Sequence, residues 1–275
     1  MTARPFLKWS GGKTQLLPQI LERLPKKINR YFEPFVGGGA VFFALAAEKR
    51  FKFATLSDSN EELINAYRMA QTLPGLLVDA LKKHGESHSE EYFYEIRGKD
   101  PLKLTPTQRA ARMIYLNKTC FNGLYRVNKS GGFNVPFGDY KSPKICDEEN
   151  ILAVFEALRD SQVFAREFED GVYMAKPGDV VYFDPPYMPA SPTANFTAYT
   201  KAGFYPEDHQ ALRDLAFRLD EKGVHVLLSN ADTPKARELY KDFLIEEVQA
   251  RRNINSKGEK RGNVGELLIR GPSAR

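Results

Sequence analysis

The chain has 275 residues, 42% of them hydrophobic and 27% charged, with a formal net charge of +5. That length buries one sizeable core, or a core plus a smaller helical module, and the composition excludes disordered, collagen-like and disulfide-scaffold classes. Cys120 and Cys146 make neither a disulfide framework nor a metal motif, no apolar run is long enough for a bilayer, and the start Met1-Thr2-Ala3-Arg4-Pro5 lacks the apolar stretch of a secretory signal. A cytoplasmic setting with two reduced thiols, no metal and no membrane association is the expectation. The positive balance suits a polyanionic partner.

Leu16, Leu17, Ile20, Leu21 and Leu24 have helical apolar spacing, ended by Pro25. Arg30 to Phe35 reads as a strand running into Val36-Gly37-Gly38-Gly39, Ala40 to Glu48 as an apolar helix, and Phe53 to Ser57 as a second strand ending at Asp58. This is the opening of an α/β fold with a parallel sheet. Helical patterns then dominate over 61–71, 76–83, 90–97 and 107–118. Leu124 to Asn128, a turn at Lys129-Ser130-Gly131-Gly132 and Phe133-Asn134-Val135 read as a β-hairpin. The α/β rhythm resumes with Val180 to Phe183 as a buried strand, Pro206 to Lys222 as a helix with proline at its start, and strands at 224–228 and 267–269. Tyr187 to Tyr205 is a long loop rich in Pro, Ser and Thr, of a length that in compact domains usually carries function.

Three motifs carry chemistry. Asp184-Pro185-Pro186-Tyr187 stands at the C-terminal end of a buried strand, the edge where open α/β sheets bind ligands. A carboxylate and the Pro185 carbonyl can each accept an N–H of an aromatic amine, whose lone pair is otherwise conjugated into its ring. The two prolines stiffen the backbone that aims the carbonyl. Tyr187 offers a face on which a base can stack, worth ~1–3 kcal/mol. Glu33-Pro34-Phe35-Val36-Gly37-Gly38-Gly39 lets a backbone approach a ligand closely, although it is not the GxGxxG dinucleotide fingerprint, and Asp58 ends the next strand, where an acid can hold ribose hydroxyls. In Phe6-Leu7-Lys8-Trp9-Ser10-Gly11-Gly12-Lys13-Thr14 the tail mimics a phosphate-binding loop, but Leu7 stands where that loop needs glycine, which argues against nucleoside-triphosphate hydrolysis. His84, His88, His209 and His225 have no triad or ligand spacing. Arg251, Arg252, Lys257, Lys260 and Arg261 form a basic stretch, read equally as a solvated loop or a phosphate contact.

Together with Phe121-Asn122-Gly123-Leu124-Tyr125-Arg126, Phe133-Asn134-Val135-Pro136-Phe137-Gly138 and Ala194-Asn195-Phe196-Thr197-Ala198-Tyr199, these motifs make the chain resemble the Dam-type DNA adenine methyltransferases, close to the GATC-methylating members linked to restriction. The resemblance implies a Rossmann-like methyltransferase sheet, mostly parallel with its last strand antiparallel. It implies a catalytic domain from 1–58 and 145–275, with residues 59–144 as an inserted helical target-recognition module carrying the hairpin. It also implies transfer of a methyl group from S-adenosylmethionine to N6 of a flipped adenine in double-stranded DNA, in GATC, with functional pairing to a restriction endonuclease possible. Trp9, Lys13, Asp58 and Asp184 correspond to cofactor contacts, with Glu33, Phe35, Gly37 and Gly39 at the methionine end. Asp184, Pro185, Pro186 and Tyr187 correspond to the catalytic set that holds adenine. Lys8 and Arg126 correspond to cations that read guanines, Leu124 and Pro136 to apolar contacts with a thymine methyl, Phe121 to a wedge, and Asn122 to a further DNA contact. Asp139 departs from the pattern, standing where members tend to carry a base, which weakens one phosphate contact. Three alternatives stay open: N4-cytosine methylation, against which Asp rather than Ser before the prolines argues; a protein-glutamine methyltransferase, against which Asp rather than Asn there and the hairpin argue; and a catalytically silent DNA-binding protein.

Overall fold

The structure is a computed structural model that describes residues 2–128, 130–188, 203–251 and 263–273. Seven strands form one sheet in the order β3-β2-β1-β4-β5-β7-β6. They are β1 Ile28–Glu33, β2 Phe51–Asp58, β3 Ser161–Ala165, β4 Val180–Phe183, β5 His225–Ala231, β6 Leu244–Arg251 and β7 Asn263–Arg270. The pairs β3–β2, β2–β1, β1–β4 and β4–β5 are parallel. The last strand, β7, runs antiparallel between β5 and β6, as the sequence suggested.

Side-chain alternation explains why helices cover both faces. Tyr31, Tyr182, Leu227 and Leu268 point into one core, while their neighbours Phe32, Val181, Phe183, Leu228 and Ile269 point into the other. Buried on both sides, these strands read as continuous apolar runs. The first face is covered by α1 Leu17–Arg23, α2 Ala40–Ala47, α3 Glu61–Thr72 and α7 Glu148–Leu158. The second is covered by α8 Phe168–Gly171, α9 Pro206–Glu221 and α10 Pro234–Leu239. Neither α7, α8, α10, β3 nor β6 was foreseen. Strands β3 and β6 lie at the two edges of the sheet and are half-polar, so they lack the apolar run that marks β4.

Between β2 and α7 stand α3, α4 Pro74–Glu86, α5 Glu90–Gly98 and α6 Pro106–Thr119. Their starts follow local chemistry. The Asn60 side chain accepts the Leu63 N–H at 3.0 Å, Ser89 caps α5, and Thr105 with Gln108 forms a capping box before Pro106. These helices share the first core with the sheet: Tyr67, Leu77, Phe93 and Tyr115 are continuous with Tyr31 and Leu56. His84 and His88 are spent structurally, bonded to Tyr92 at 2.8 Å and Tyr115 at 3.0 Å, and burial pushes His84 down to about 4, so it is neutral.

The expected hairpin exists in reduced form. Instead of two strands, the segment makes isolated bridges Val127–Phe133 and Cys120–Phe137. Asn128 closes the turn, its backbone bonding Gly131 and Gly132 and its side chain accepting the N–H groups of Ser130 and Gly132. Gly131, at φ +83, takes the left-handed turn position. Among the described residues no helix is long and apolar enough to cross a membrane.

Candidate active site

The sheet order reverses direction between β1 and β4, and a crevice opens outside the carboxyl ends of strands at such a point. Glu33 ends β1, Asp58 ends β2 and Asp184 follows β4, so three acids far apart in sequence line adjacent strand ends. Each resists ionisation through burial. Glu33 is pushed up to about 8 by desolvation, against the stabilising Tyr31 hydroxyl that donates to its Oε2 at 2.9 Å. Asp58 is pushed up to about 6 by desolvation, moderated by the N–H groups of Asn60 and Gly37 that it accepts at 3.0 and 3.2 Å. Asp184, 19% exposed, is pushed up to about 6 by desolvation, against the opposing Lys13 ammonium 2.7 Å from its Oδ1.

Lys13 arrives from a 3-10 turn, Lys13–Gln15, and is 5% exposed. Its Nζ also donates to the Gly11 carbonyl at 2.6 Å and lies 4.7 Å from the centre of the Tyr187 ring. The Tyr187 hydroxyl donates to Glu266 Oε2 at 2.7 Å. Behind the motif, fully buried Asn230 accepts the N–H of Met188 at 3.2 Å and of Ala231 at 2.9 Å, pinning the chain as it leaves the two prolines.

The glycine turn is built for close approach. Gly37 and Gly39 sit at φ +47 and +71. A Cβ on Gly37 would come within 2.7 Å of the Trp9 ring, and one on Gly39 within 2.5 Å of the Tyr67 hydroxyl, which donates to the Gly37 carbonyl at 3.0 Å. Trp9 therefore packs on the glycine turn and also stacks on Tyr125, ring centres 5.2 Å apart. Phe35 joins Phe168, Phe183 and Phe204 in an aromatic cluster on the face covered by α8 and α9. Phe204 packs in this cluster, whereas Tyr205 is 58% exposed.

The residues expected to meet DNA gather around the end of α6. Buried Asn117 accepts the Lys8 N–H at 2.7 Å and donates to the Lys8 and Gly123 carbonyls at 2.8 and 3.1 Å. This brings the N-terminal segment against the 3-10 turn Phe121–Gly123. Phe121, 50% exposed, donates its N–H to the Pro136 carbonyl at 2.9 Å. Asn122 is exposed at φ +56. Arg126 is exposed and donates to the Asn134 side chain at 2.8 Å, and Lys8 lies 4.8 Å over the Tyr140 ring. Leu124 is half-buried, and Asp139 is exposed at φ +47. The segment 194–199, most of the loop after Tyr187 and residues 252–262 of the basic stretch lie outside the described residues.

Sequence reasoning overlooked Tyr31, Tyr67, Asn117, Asn230 and Glu266. Asn230 and Glu266 had a usable signal, each being a polar residue bordering an apolar run at the same sheet edge as Asp184. Asn117, mid-helix, had none. Among the described residues no group of three or more His, Cys, Asp or Glu is arranged to hold a metal ion.

A mostly parallel sheet with its last strand reversed, carrying acids and a glycine turn at its switch point, defines the Rossmann-like methyltransferase class. Residues 9–254 match the family model described as D12 class N6 adenine-specific DNA methyltransferase, and the chain belongs to that family. It is 47% identical to the Type II methyltransferase M1.LlaDCHI of Lactococcus lactis subsp. cremoris, covering 97% of this chain and 94% of that one. It is 42% identical to the Type II methyltransferase M.MjaIII of Methanocaldococcus jannaschii, covering 98% and 99%. It is 38% identical to the DNA adenine methylase of Escherichia coli (strain K12), covering 96% and 94%. The activity is site-specific methylation of adenine N6 in DNA, which sets aside the cytosine, protein-glutamine and silent-binder alternatives.

Proposed function

We propose that the methyl donor is S-adenosylmethionine and that the substrate is an adenine turned out of a GATC duplex into the crevice at Asp184. The observation that carries this reading is the convergence of Asp184, Glu33 and Asp58 with the Gly37–Gly39 turn at one switch point. The donor set fits a ligand that bears hydroxyls. Asp58 retains lone pairs for a ribose after accepting two backbone N–H groups. The glycine turn is held beside Asp58 by the packed Trp9 and Tyr67 side chains and by the Gly37 N–H that Asp58 accepts. When bound, the cofactor supplies a sulfonium-activated methyl group.

The protein's own work is then positional. An adenine inside a duplex is out of reach, so flipping is required, at a cost of a few kcal/mol offset by stacking and hydrogen bonds in the pocket. Asp184 and the Pro185 carbonyl each accept an N–H of the adenine amine, holding it near the geometry for in-line attack. Tyr187, whose hydroxyl is tied to Glu266, supports the base plane. The departing proton becomes acidic as the methyl arrives, so no strong general base is needed. Lys8, Phe121, Asn122, Leu124, Arg126 and Pro136 are the DNA contacts in this reading, on a target-recognition module of residues 59–144. Arg126 bidentate to a guanine would supply ~1–3 kcal/mol of discrimination. Relatives named Type II methyltransferases support functional pairing with a restriction endonuclease.

The test is transfer of labelled methyl from S-adenosylmethionine to duplexes with and without GATC, followed by nucleoside analysis. N6-methyladenine confined to GATC duplexes is the expected product. Equal labelling of both duplexes would overturn the assigned site, and no labelling with this donor would overturn the cofactor.

A further inference from the structure

We propose that Lys13 acts through Asp184, holding the motif carboxylate ionised so that it can accept an adenine N–H, rather than serving only as a cofactor contact. The inference rests on the reading of Asp184 as the amine acceptor.

The geometry singles out the lysine. Its ammonium has three donors and three partners: the Gly11 carbonyl at 2.6 Å, Asp184 Oδ1 at 2.7 Å and the Tyr187 ring at 4.7 Å. Gly11, at φ +79, turns its carbonyl onto the ammonium of the residue two positions on, so the lysine is anchored by its own loop. With 5% exposure it has little access to water, and an ammonium buried to this degree needs its partners.

What surrounds Asp184 explains the need. From β1 comes Glu33, hydrogen-bonded by Tyr31; from β7 comes Glu266, hydrogen-bonded by Tyr187; from β4 comes Tyr182, paired with Ser229 of β5. These facing groups are acids or phenols, and each acid that ionises makes ionisation of Asp184 harder. Among the described residues Lys13 is the cation in ion-pair contact with Asp184. Burial and Glu266 push the Asp184 carboxyl up, and Lys13 is what limits the rise to about 6. A protonated Asp184 would present a hydroxyl donor toward an amine that needs an acceptor. Replacing Lys13 by a neutral side chain therefore removes the opposite charge and leaves burial and Glu266, a change that moves a neighbouring acid by about 1–3 pH units.

The experiment compares wild type, Lys13→Gln and Lys13→Arg. The pH dependence of kcat/KM for a GATC duplex is measured at saturating S-adenosylmethionine, alongside the KM for that cofactor. A ¹³C-carboxyl NMR titration follows Asp184, assigned with Asp184→Asn. Lys13→Gln should move the acid limb and the Asp184 titration upward together by about 1–3 pH units, costing about 3- to 200-fold at pH 6.5 and recovering to within about twofold by pH 9. Lys13→Arg should keep both close to wild type. A raised cofactor KM with an unmoved acid limb would reduce Lys13 to a cofactor contact and overturn the proposal, as would a loss uniform across pH. Should Lys13→Gln fail to fold, the wild-type titration still decides: an Asp184 that stays protonated through pH 8 beside Lys13 overturns it. Failure of wild type to make N6-methyladenine would instead overturn the functional reading, which separates the two.

Discussion

Glu33 illustrates how much a single buried acid can contribute at this site. Its carboxyl sits at about 8 against an ordinary 4.5, raised by desolvation. Between those pH values the folded chain keeps a proton that the unfolded chain has released, so stability falls as pH rises through that window and the loss is complete above about 8. Glu33→Gln has no such proton. Its melting temperature relative to wild type should therefore climb by a few degrees between pH 5 and pH 8.5, read by calorimetry; a constant difference would mean Glu33 is ionised in the fold. Asp184 has the opposite profile of consequence, since its value lies in accepting hydrogen bonds. Asp184→Ala should lower single-turnover methylation by about 10²–10³-fold, the range for removing one preorganised hydrogen-bonding group, while S-adenosylmethionine still binds. Near-normal single turnover would remove Asp184 from the reaction. The motif containing Asp184 was legible from four residues. The environment that sets its pKa was not, because Lys13, which lowers it, and Glu266, which raises it, reach it from distant points in the chain.

At the scale of elements, the N-terminal segment, the α6 end and the 121–138 segment act as one assembly. Asn117 satisfies three backbone groups there, two on Lys8 and one on Gly123. Trp9 continues the connection by lying between the Gly37 turn and Tyr125. Asn117→Ala leaves those groups unpaired, at ~1–3 kcal/mol for each that water does not reach. The variant should unfold at lower denaturant, and it should discriminate less between GATC duplexes and duplexes with one substituted base pair. Discrimination at the wild-type level in a destabilised variant would show that Asn117 serves stability alone. The helices α3 to α6 were readable because their caps and periodicity are local: Asn60, Ser89, Thr105 with Pro106. The hairpin was readable from its turn but not in its extent. Its pairing is limited to single bridges, since the backbone groups of 119–124 bond instead to the end of α6 and to 136–138.

For the whole molecule, residues 59–144 and the sheet share one core. Tyr67, Leu77 and Tyr115 from 59–144 are buried in the same cluster as Tyr31, Leu56 and Val163 from the sheet. Joining 1–58 directly to 145–275 would expose that apolar face. The shortened chain should be insoluble or lack near-ultraviolet dichroism, and a soluble, cooperatively melting product would show that the two parts fold separately.

The sequence by itself determined the α/β class, the helical run over 61–118 and the three motifs. Each of these is written in local periodicity, caps and glycine or proline placement, which act over a few residues. Only the tertiary structure decided that β3 and β6 border the sheet, that Phe35 joins Phe168, Phe183 and Phe204, and that Lys13 closes on Asp184. Those outcomes depend on strand order and burial, and the free energy of a buried charge is set by neighbours that the chain brings together only when it folds.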